Sequence, residues 1–301
     1  MPDHRPLYNF PMHATTNTEV LAYRGRLAPS PTGLLHIGHA CTFWMAYQRA
    51  LKREGTLVLR IEDLDPRRSK TKFTEAIIED LRWLGIRWHE GPDRGGPFSP
   101  YEQRRRREFY LDCWRMLRDR GHIYPCTCSR RDLALAAAAP NEGEDEPLYP
   151  GRCRNRIGEA ARYQKPAGVN WRFRVPDGER VAFRDLHQGP QHYIAGEDFG
   201  DFVVWRRDDV PAYQLAVVTD DARMQITEVV RGTDLLKSTA RQLLLIRDLG
   251  LAIPSYYHCD LLRDESGTRL AKSHDALSLR ALREKGYSPQ QVLEFCQPVE
   301  R

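Results

Sequence analysis

His36 and His39 stand three residues apart in the stretch LAPSPTGLLHIGHACTF, which runs from Leu27 to Phe43. A short strand is expected over 21–28, broken by Pro29, Pro31 and Gly33. From Ile37 a helix follows, with Cys41, Phe43, Trp44, Ala46, Tyr47 and Leu51 at mixed helical spacing. A strand, a glycine-containing turn and a helix start make an anion site, because free backbone N–H groups and the positive end of the helix dipole face the turn. Two imidazoles on that first turn can donate to phosphate oxygens, and would count most where those oxygens gain charge in a transition state. Isolated histidines near a helix start are more often surface residues or satisfied core groups; here the surrounding strand and turn favour phosphate chemistry.

Other residues of chemical interest lie far away in the chain. Lys272, in RLAKSHD, follows a DESGT turn. A loop lysine can hold a polyphosphate, with Arg269 assisting, although a single loop lysine is usually only solvated. Glu62, Asp63 and Asp65 end the segment TLVLRIEDLD. Cys126 and Cys128, with Cys153 and with Tyr149 four residues before it, form a cluster across an acidic, alanine-rich loop. Three thiolates and one oxygen or nitrogen can complete a tetrahedral zinc site, while buried free thiols are the plainer alternative. A small β-rich segment with little core of its own would gain from such a staple.

These residues need elements to position them. The first strand, the helix after it and a strand from Thr56 make a β-α-β unit, which implies a parallel, Rossmann-like sheet with active groups at the carboxyl ends of its strands. Amphipathic helices are expected over 72–86 and 101–121, with Arg104 to Arg107 on a solvated face. We divide the chain into a flexible N-terminal extension (1–23), a first half of the catalytic domain (24–120), an inserted segment (121–201) and a second half with C-terminal helices (202–301). The insertion is expected to carry strands in VNWRFRVP, RVAFRDL and DFVVWRRD.

The 301 residues suffice for a sizeable core, with 41% hydrophobic and 29% charged residues and a formal net charge of +5. That mild basicity is compatible with nucleic acid without requiring it. Neither an export signal nor a membrane-spanning apolar run is read from the sequence. With seven cysteines, an odd number, this places the protein in a reducing cytoplasm.

HIGH at 36–39 and RLAKS at 269–273 resemble the two signatures of class I aminoacyl-tRNA synthetases. RLAPSPTGLLHIGHA, LRIEDLDPRR, DDARMQITEVVRGTDLL and RLAKSHDA are similar to the glutamyl branch, from about Arg24 onward. Within it the chain most resembles truncated paralogues that share a Cys-x-Cys, Tyr, Cys zinc subdomain.

The resemblance implies an α/β, Rossmann-like class I catalytic domain with a small zinc-containing insertion and no anticodon-binding domain, only 29 residues following Lys272. It implies ATP contacts at His36, Gly38, His39 and Lys272, with His36, His39 and Lys272 catalytic. Glutamate contacts fall at Arg26, Leu27, Ala28, Pro29, Ser30, Glu62, Tyr213 and Arg231. Arg231 would fork onto a carboxylate. Structural zinc falls to Cys126, Cys128, Tyr149 and Cys153, and Mg²⁺ arrives with ATP. The implied reaction is ATP-dependent formation of glutamyl-adenylate and transfer of glutamate to the queuosine base in the anticodon of tRNA(Asp), by a monomer. Charging of a tRNA 3′ end, and a catalytically silent binding module, are the alternatives. One departure is RLAKS itself, where the usual Lys-Met-Ser-Lys-Ser has lysine and methionine in its first two places.

Overall fold

The computed structural model describes residues 22–128, 148–262 and 278–296. Lys272, Arg269, the acidic loop and most of the N-terminal extension lie outside them.

The expected β-α-β unit is present. Strand β1 (Arg24–Leu27) leads through helix α1 (Ile37–Lys52) to strand β2 (Thr56–Leu59), and β1 and β2 pair in parallel with Arg24 opposite Thr56. Helix α1 turns Ile37, Ala40, Phe43, Ala46 and Ala50 inward, the i, i+3, i+4 stripe that seats a helix on a sheet. Leu51, read as part of that stripe, falls off it and is exposed. Helix α2 (Thr71–Trp83) follows. It stops short of the expected residue 86 because Gly85 takes a left-handed conformation and the Ile86 N–H turns back to the Leu81 carbonyl.

Helix α3 spans Arg107–Asp119 rather than starting at Tyr101. The backbone at 101–103 is already committed elsewhere: the Ile61 N–H donates to the Tyr101 carbonyl at 2.9 Å and the Gln103 N–H to the Ile61 carbonyl at 3.0 Å. A short 3-10 turn (Gln103–Arg105) bridges the gap. Arg106 is not on a solvated face. It is 2% exposed and its Nε donates to Asp220 Oδ1 at 2.6 Å.

Strands β3 (Ile123–Cys126), β4 (Asn170–Phe173), β5 (Arg180–Asp185), β6 (Gly189–Ile194) and β7 (Phe202–Trp205) come next. They do not form one inserted unit. Strands β3, β4 and β7 make an antiparallel sheet in that order, so the boundary drawn at 201 cuts it; Phe202 pairs with Phe173. Meanwhile β5 and β6 form a hairpin that joins the parallel sheet of the second half. That half contains helix α4 (Tyr213–Arg223), strand β8 (Glu228–Gly232), helix α5 (Leu236–Leu249) and strand β9 (Ser255–Cys259), with sheet order β6-β5-β9-β8. Helices α6 (Leu279–Glu284) and α7 (Pro289–Glu294) close the described chain.

The two halves meet along β1 and β8. The Thr227 N–H donates to the Arg24 carbonyl at 2.9 Å, and Arg26 Nη1 to the Val230 carbonyl at 2.9 Å. One apolar core lies between α1, α2 and the first strands, and another packs Trp114, Trp171, Phe173 and Trp205 against α4 and α5. Among the described residues no helix is long and apolar enough to cross a membrane.

A reducing compartment, expected from the odd cysteine count, does not anticipate a disulfide, yet the structure has one. Cys41, on the first turns of α1, is joined to Cys296 just beyond α7 by a disulfide across 255 residues of sequence. The packing of α7 against α1 brings the pair together, which no sequence spacing announces.

Two buried polar contacts hold elements that backbone pairing alone leaves loose. Asp220, fully buried on α4, accepts from Arg106 Nε at 2.6 Å, Gln103 Nε2 at 2.8 Å and Tyr110 Oη at 2.8 Å. Strand β5 has a single register pair with β9, Asp185 opposite Tyr256. The Asp185 side chain reinforces it, accepting from the His258 backbone N–H at 3.2 Å and lying 2.6 Å from His258 Nδ1. Replacing Asp220 by alanine strands the Arg106 charge, and is expected to cost about 3–5 kcal/mol in urea-unfolding free energy.

His258 is fully buried, and its pKa is lowered to about 4 by burial and by the Arg231 charge, against the opposing pull of Asp185. A lowered histidine binds fewer protons folded than unfolded, so between its ordinary value of about 6.5 and about 4 stability rises with pH. Unfolding curves from pH 7 to pH 4 are therefore expected to show a loss on acidification that is shallower in a His258→Gln protein. Asp185, held low by its hydrogen bonds against burial, acts only below its ordinary 3.8. Glu62, raised by burial, contributes the opposite slope and is common to both proteins.

Candidate active site

The carboxyl ends of β1, β2 and β8 converge with the start of α1. The Arg60 N–H donates to the Leu27 carbonyl, and the Glu62 N–H to the Pro29 carbonyl, each at 2.9 Å. This fixes the segment Ala28, Pro29 and Ser30 beside Glu62. Leu27 and Pro29 are buried and Ser30 is exposed.

His36 and His39 face each other at the start of α1. Their ring centroids are 3.8 Å apart, and the His36 backbone N–H donates to His39 Nδ1 at 3.4 Å. Gly38 lies between them. A Cβ there would come within 3.2 Å of the His36 ring, so the close stacking of ring on turn favours glycine. His36 also forms an isolated antiparallel bridge to Ser278, and the Leu279 N–H donates to the Leu35 carbonyl at 2.8 Å. The chain on the far side of the Lys272 segment is thereby anchored at the histidines. Lys272 itself falls outside the described residues.

Glu62, Arg26 and Arg231 are the charged neighbours of Tyr213, and one ion network organises them. Arg60, 0% exposed, donates Nη1 to Asp221 Oδ1 at 2.6 Å and Nη2 to Glu62 Oε1 at 3.0 Å. Arg26 Nε lies 3.5 Å from the same Asp221 oxygen. Burial pushes the Glu62 carboxyl above its ordinary range, although Arg60 and Arg26 pull the other way. A carboxylate so situated is stabilised by any further cation, and an ammonium group is the matching ligand. The Tyr213 hydroxyl is also pushed up by burial, with Arg231, Glu62 and Arg26 as its charged neighbours.

Arg231, on β8, differs from what a free carboxylate fork requires. Its Nε donates to His258 Nε2 at 3.1 Å and its Nη2 to Thr239 Oγ1 at 2.7 Å. One edge of the guanidinium is clasped. Its Nη1 is buried and makes no hydrogen bond among the described residues. The bidentate expectation is therefore narrowed to the outer end of the guanidinium, through Nη1 and the second Nη2 hydrogen. Sequence reasoning missed Arg60, Asp221, Asp185, His258 and Thr239. The available signals were an arginine inside an apolar strand run and the adjacent acids of TDDAR.

Of the remaining candidates, Asp63 and Asp65 hold loops. Asp63 accepts from the Arg104 N–H at 2.9 Å, and Asp65 from Arg206 Nη1 at 3.1 Å. Arg280 and Arg283 pair with Glu79 at 2.9 and 2.8 Å.

The cysteine cluster forms at the end of β3. The sulfurs of Cys126, Cys128 and Cys153 all lie within 4.8 Å of one another, and Tyr149 Oη is 3.5 Å from Cys126 Sγ and 3.6 Å from Cys128 Sγ. Four donors converging at that range match a tetrahedral zinc site with Zn–S near 2.3 Å. Tyrosine is an unusual fourth donor: burial and the neighbouring sulfurs push its hydroxyl pKa well up, which disfavours the phenolate that a metal would bind. The Cys153 N–H donates to Tyr149 Oη at 2.8 Å, and the Arg172 guanidinium lies 4.0 Å from the ring centroid.

Comparison with known proteins gives the family. Residues 22–299 match the family described as tRNA synthetases class I (E and Q), catalytic domain. Glutamyl-Q tRNA(Asp) synthetase of Symbiobacterium thermophilum is 48% identical over 272 residues, covering 89% of this chain and 84% of that protein. The protein of the same name from Nitratidesulfovibrio vulgaris is 48% identical over 268 residues, covering 87% of this chain and 82% of its own. Among solved structures, a glutamate tRNA ligase from Elizabethkingia meningosepticum superposes with a TM-score of 0.74 at 29% identity, over 88% of this chain; the chain spans about half of that ligase, 53% of its length. The chain belongs to the class I tRNA synthetases of the glutamate and glutamine branch, which it matches through their catalytic domain.

Proposed function

We propose that this protein activates L-glutamate with ATP and transfers it to the queuosine base in the anticodon of tRNA(Asp). The observation that carries the activation step is that a buried carboxylate, Glu62, and a buried guanidinium, Arg231, whose Nη1 makes no hydrogen bond among the described residues, are both charged neighbours of Tyr213. Glu62 meets the ammonium of glutamate, and Arg231 its side-chain carboxylate. Arg26, the segment Leu27, Ala28, Pro29 and Ser30, and Tyr213 complete the glutamate contacts.

The glutamate α-carboxylate then attacks the α-phosphorus of ATP in line, and pyrophosphate leaves. His36 and His39, at the positive end of the α1 dipole, hold the phosphoryl oxygens as they gain charge. Mg²⁺ enters with ATP as part of the substrate, and Lys272 belongs to the pyrophosphate side. The acceptor rests on the two 48% identical relatives, both glutamyl-Q tRNA(Asp) synthetases by name, and on chemistry. The hydroxyls of the queuosine cyclopentene can attack an adenylate as a ribose hydroxyl does, and a splayed anticodon base is open to direct recognition.

Cys126, Cys128, Tyr149 and Cys153 would hold a structural zinc, tying the end of β3 to the 3-10 helix that begins at Arg154. No step of the reaction passes through it.

The function is tested with ATP, labelled glutamate and tRNA(Asp) with or without queuosine. Label is expected on the modified base and only on queuosine-containing RNA; label on the 3′-terminal adenosine would favour ordinary charging instead. In glutamate-dependent ATP–pyrophosphate exchange, His39→Ala is expected to lose roughly 10²–10³ in rate, as removal of one transition-state donor does. Elemental analysis of the protein purified without added metal is expected to give about one zinc per chain, as a single four-donor site requires. A Cys153→Ser protein should lose that zinc and melt at lower temperature.

A further inference from the structure

Arg231 owes its orientation to a buried chain of contacts that begins two strands away. Asp185 ends β5, His258 lies within β9, Arg231 lies within β8, and Thr239 sits on α5. Asp185 and His258 side chains are both 0% exposed. Arg231 Nε can only donate, so His258 Nε2, 3.1 Å away, must be the acceptor. The proton of the neutral imidazole is then on Nδ1, directed at Asp185 Oδ2 2.6 Å away. Asp185 is itself oriented by the backbone N–H groups of His187 at 2.9 Å and Gln188 at 2.8 Å, both to Oδ1. Thr239 Oγ1 accepts from Nη2 at 2.7 Å and lies 3.2 Å from His258 Nε2, which closes the clasp on one guanidinium edge.

We propose that Asp185 and His258 are positioning residues for glutamate recognition: Asp185 fixes the His258 tautomer, and His258 turns the guanidinium so that Nη1 meets the glutamate side-chain carboxylate. The inference rests on the reading of Arg231 as the carboxylate contact. A guanidinium clasped along one edge cannot swing, so its remaining donors are presented without an ordering cost when the ligand arrives. The protonation state matters too. A doubly protonated His258 would direct an N–H at Arg231 Nε and lose the clasp. The charged and titratable groups facing His258 are Asp185 from β5, Arg231 from β8 and Arg26 from β1, with Tyr256 stacked beside it at 6.1 Å between centroids. Burial, with the two arginines, keeps it neutral, while Asp185 keeps its single proton on Nδ1.

The test uses the full chain with its zinc. Glutamate-dependent ATP–pyrophosphate exchange and calorimetric glutamate binding are measured for wild type, Asp185→Asn, His258→Ala and His258→Gln, with folding checked by thermal unfolding. Asp185→Asn and His258→Ala are expected to raise the glutamate KM and Kd roughly 10- to 100-fold, the range for hydrogen bonds to charged groups, with the KM for ATP unchanged. His258→Gln, whose amide oxygen can stand where Nε2 accepts, should recover much of the loss. In ¹⁵N-histidine spectra the wild type should show one imidazole as the Nδ1–H tautomer down to pH 5, and Asp185→Asn should lose that signature.

If His258→Ala does not fold, Asp185→Asn and His258→Gln carry the test alone. Unchanged glutamate affinity in a folded Asp185→Asn protein, or equal rises in the KM for ATP and glutamate, would overturn the inference. An Arg231→Ala protein that binds glutamate like wild type would instead overturn the reading beneath it.

Discussion

Arg60 sets the terms for everything around it. A guanidinium that is 0% exposed at the exit of β2 is sustainable only if carboxylates meet it from several directions. Burial works against its charge, and Asp221, Glu62 and Asp220 together outweigh burial. Those three acids come from α4 in the second half and from the strand exit in the first. The ion network therefore locks the halves of the catalytic domain across a seam that has few backbone hydrogen bonds. Asp221 shows the reciprocal effect: burial pushes its carboxyl up, and Arg60 and Arg26 hold it below the ordinary range. Loss of any member strands another charge in the interior, so the network is held as a unit.

The same network leaves buried charge at the carboxyl ends of these strands. Glu62 is drawn partly toward Arg60, yet still sits above its ordinary range because its burial is not fully compensated. Such a group has affinity left over for a cation. At the start of α1, helix N–H groups and two histidines offer the opposite preference, for an anion. The fold thus places a buried carboxylate and a helix start, the one suited to cations and the other to anions, at one set of strand ends. A β-α-β unit with its active groups at the strand carboxyl termini does this regularly.

What sequence made legible follows from how local the causes are. The strand–turn–helix at 24–52 depends on prolines, glycines and an apolar stripe a few residues apart, and it formed where expected. The convergence of Cys126, Cys128, Tyr149 and Cys153 was readable because few other roles suit three cysteines in that arrangement. Arg106 was misread because charge in an arginine run looks solvated until a buried acid from another helix claims one member. The strand in RVAFRDL, β5, was grouped with the inserted segment, and its partner β6 was not expected, because alternation fixes a strand's faces, not its neighbour. Asp185, His258 and Thr239 left no local signal: 73 residues separate the first two, and only the β5–β9 register unites them.

The contrast between the two buried arginines of the site carries the last step. Arg60 faces three carboxylates and is electrically spent on holding the fold. Arg231 faces a neutral imidazole and a hydroxyl. Had Asp185 touched Arg231 directly, the ion pair would have neutralised the guanidinium, and a substrate carboxylate would have had to compete with it. With His258 interposed, Asp185 supplies direction through a chain of hydrogen bonds while its charge stays one ring away. The guanidinium is held in place by partners that leave Nη1 without a hydrogen bond among the described residues. A binding group that must be rigid and still electrostatically unsatisfied is best oriented by neutral acceptors, and strands β5, β8 and β9 are registered so as to bring them there.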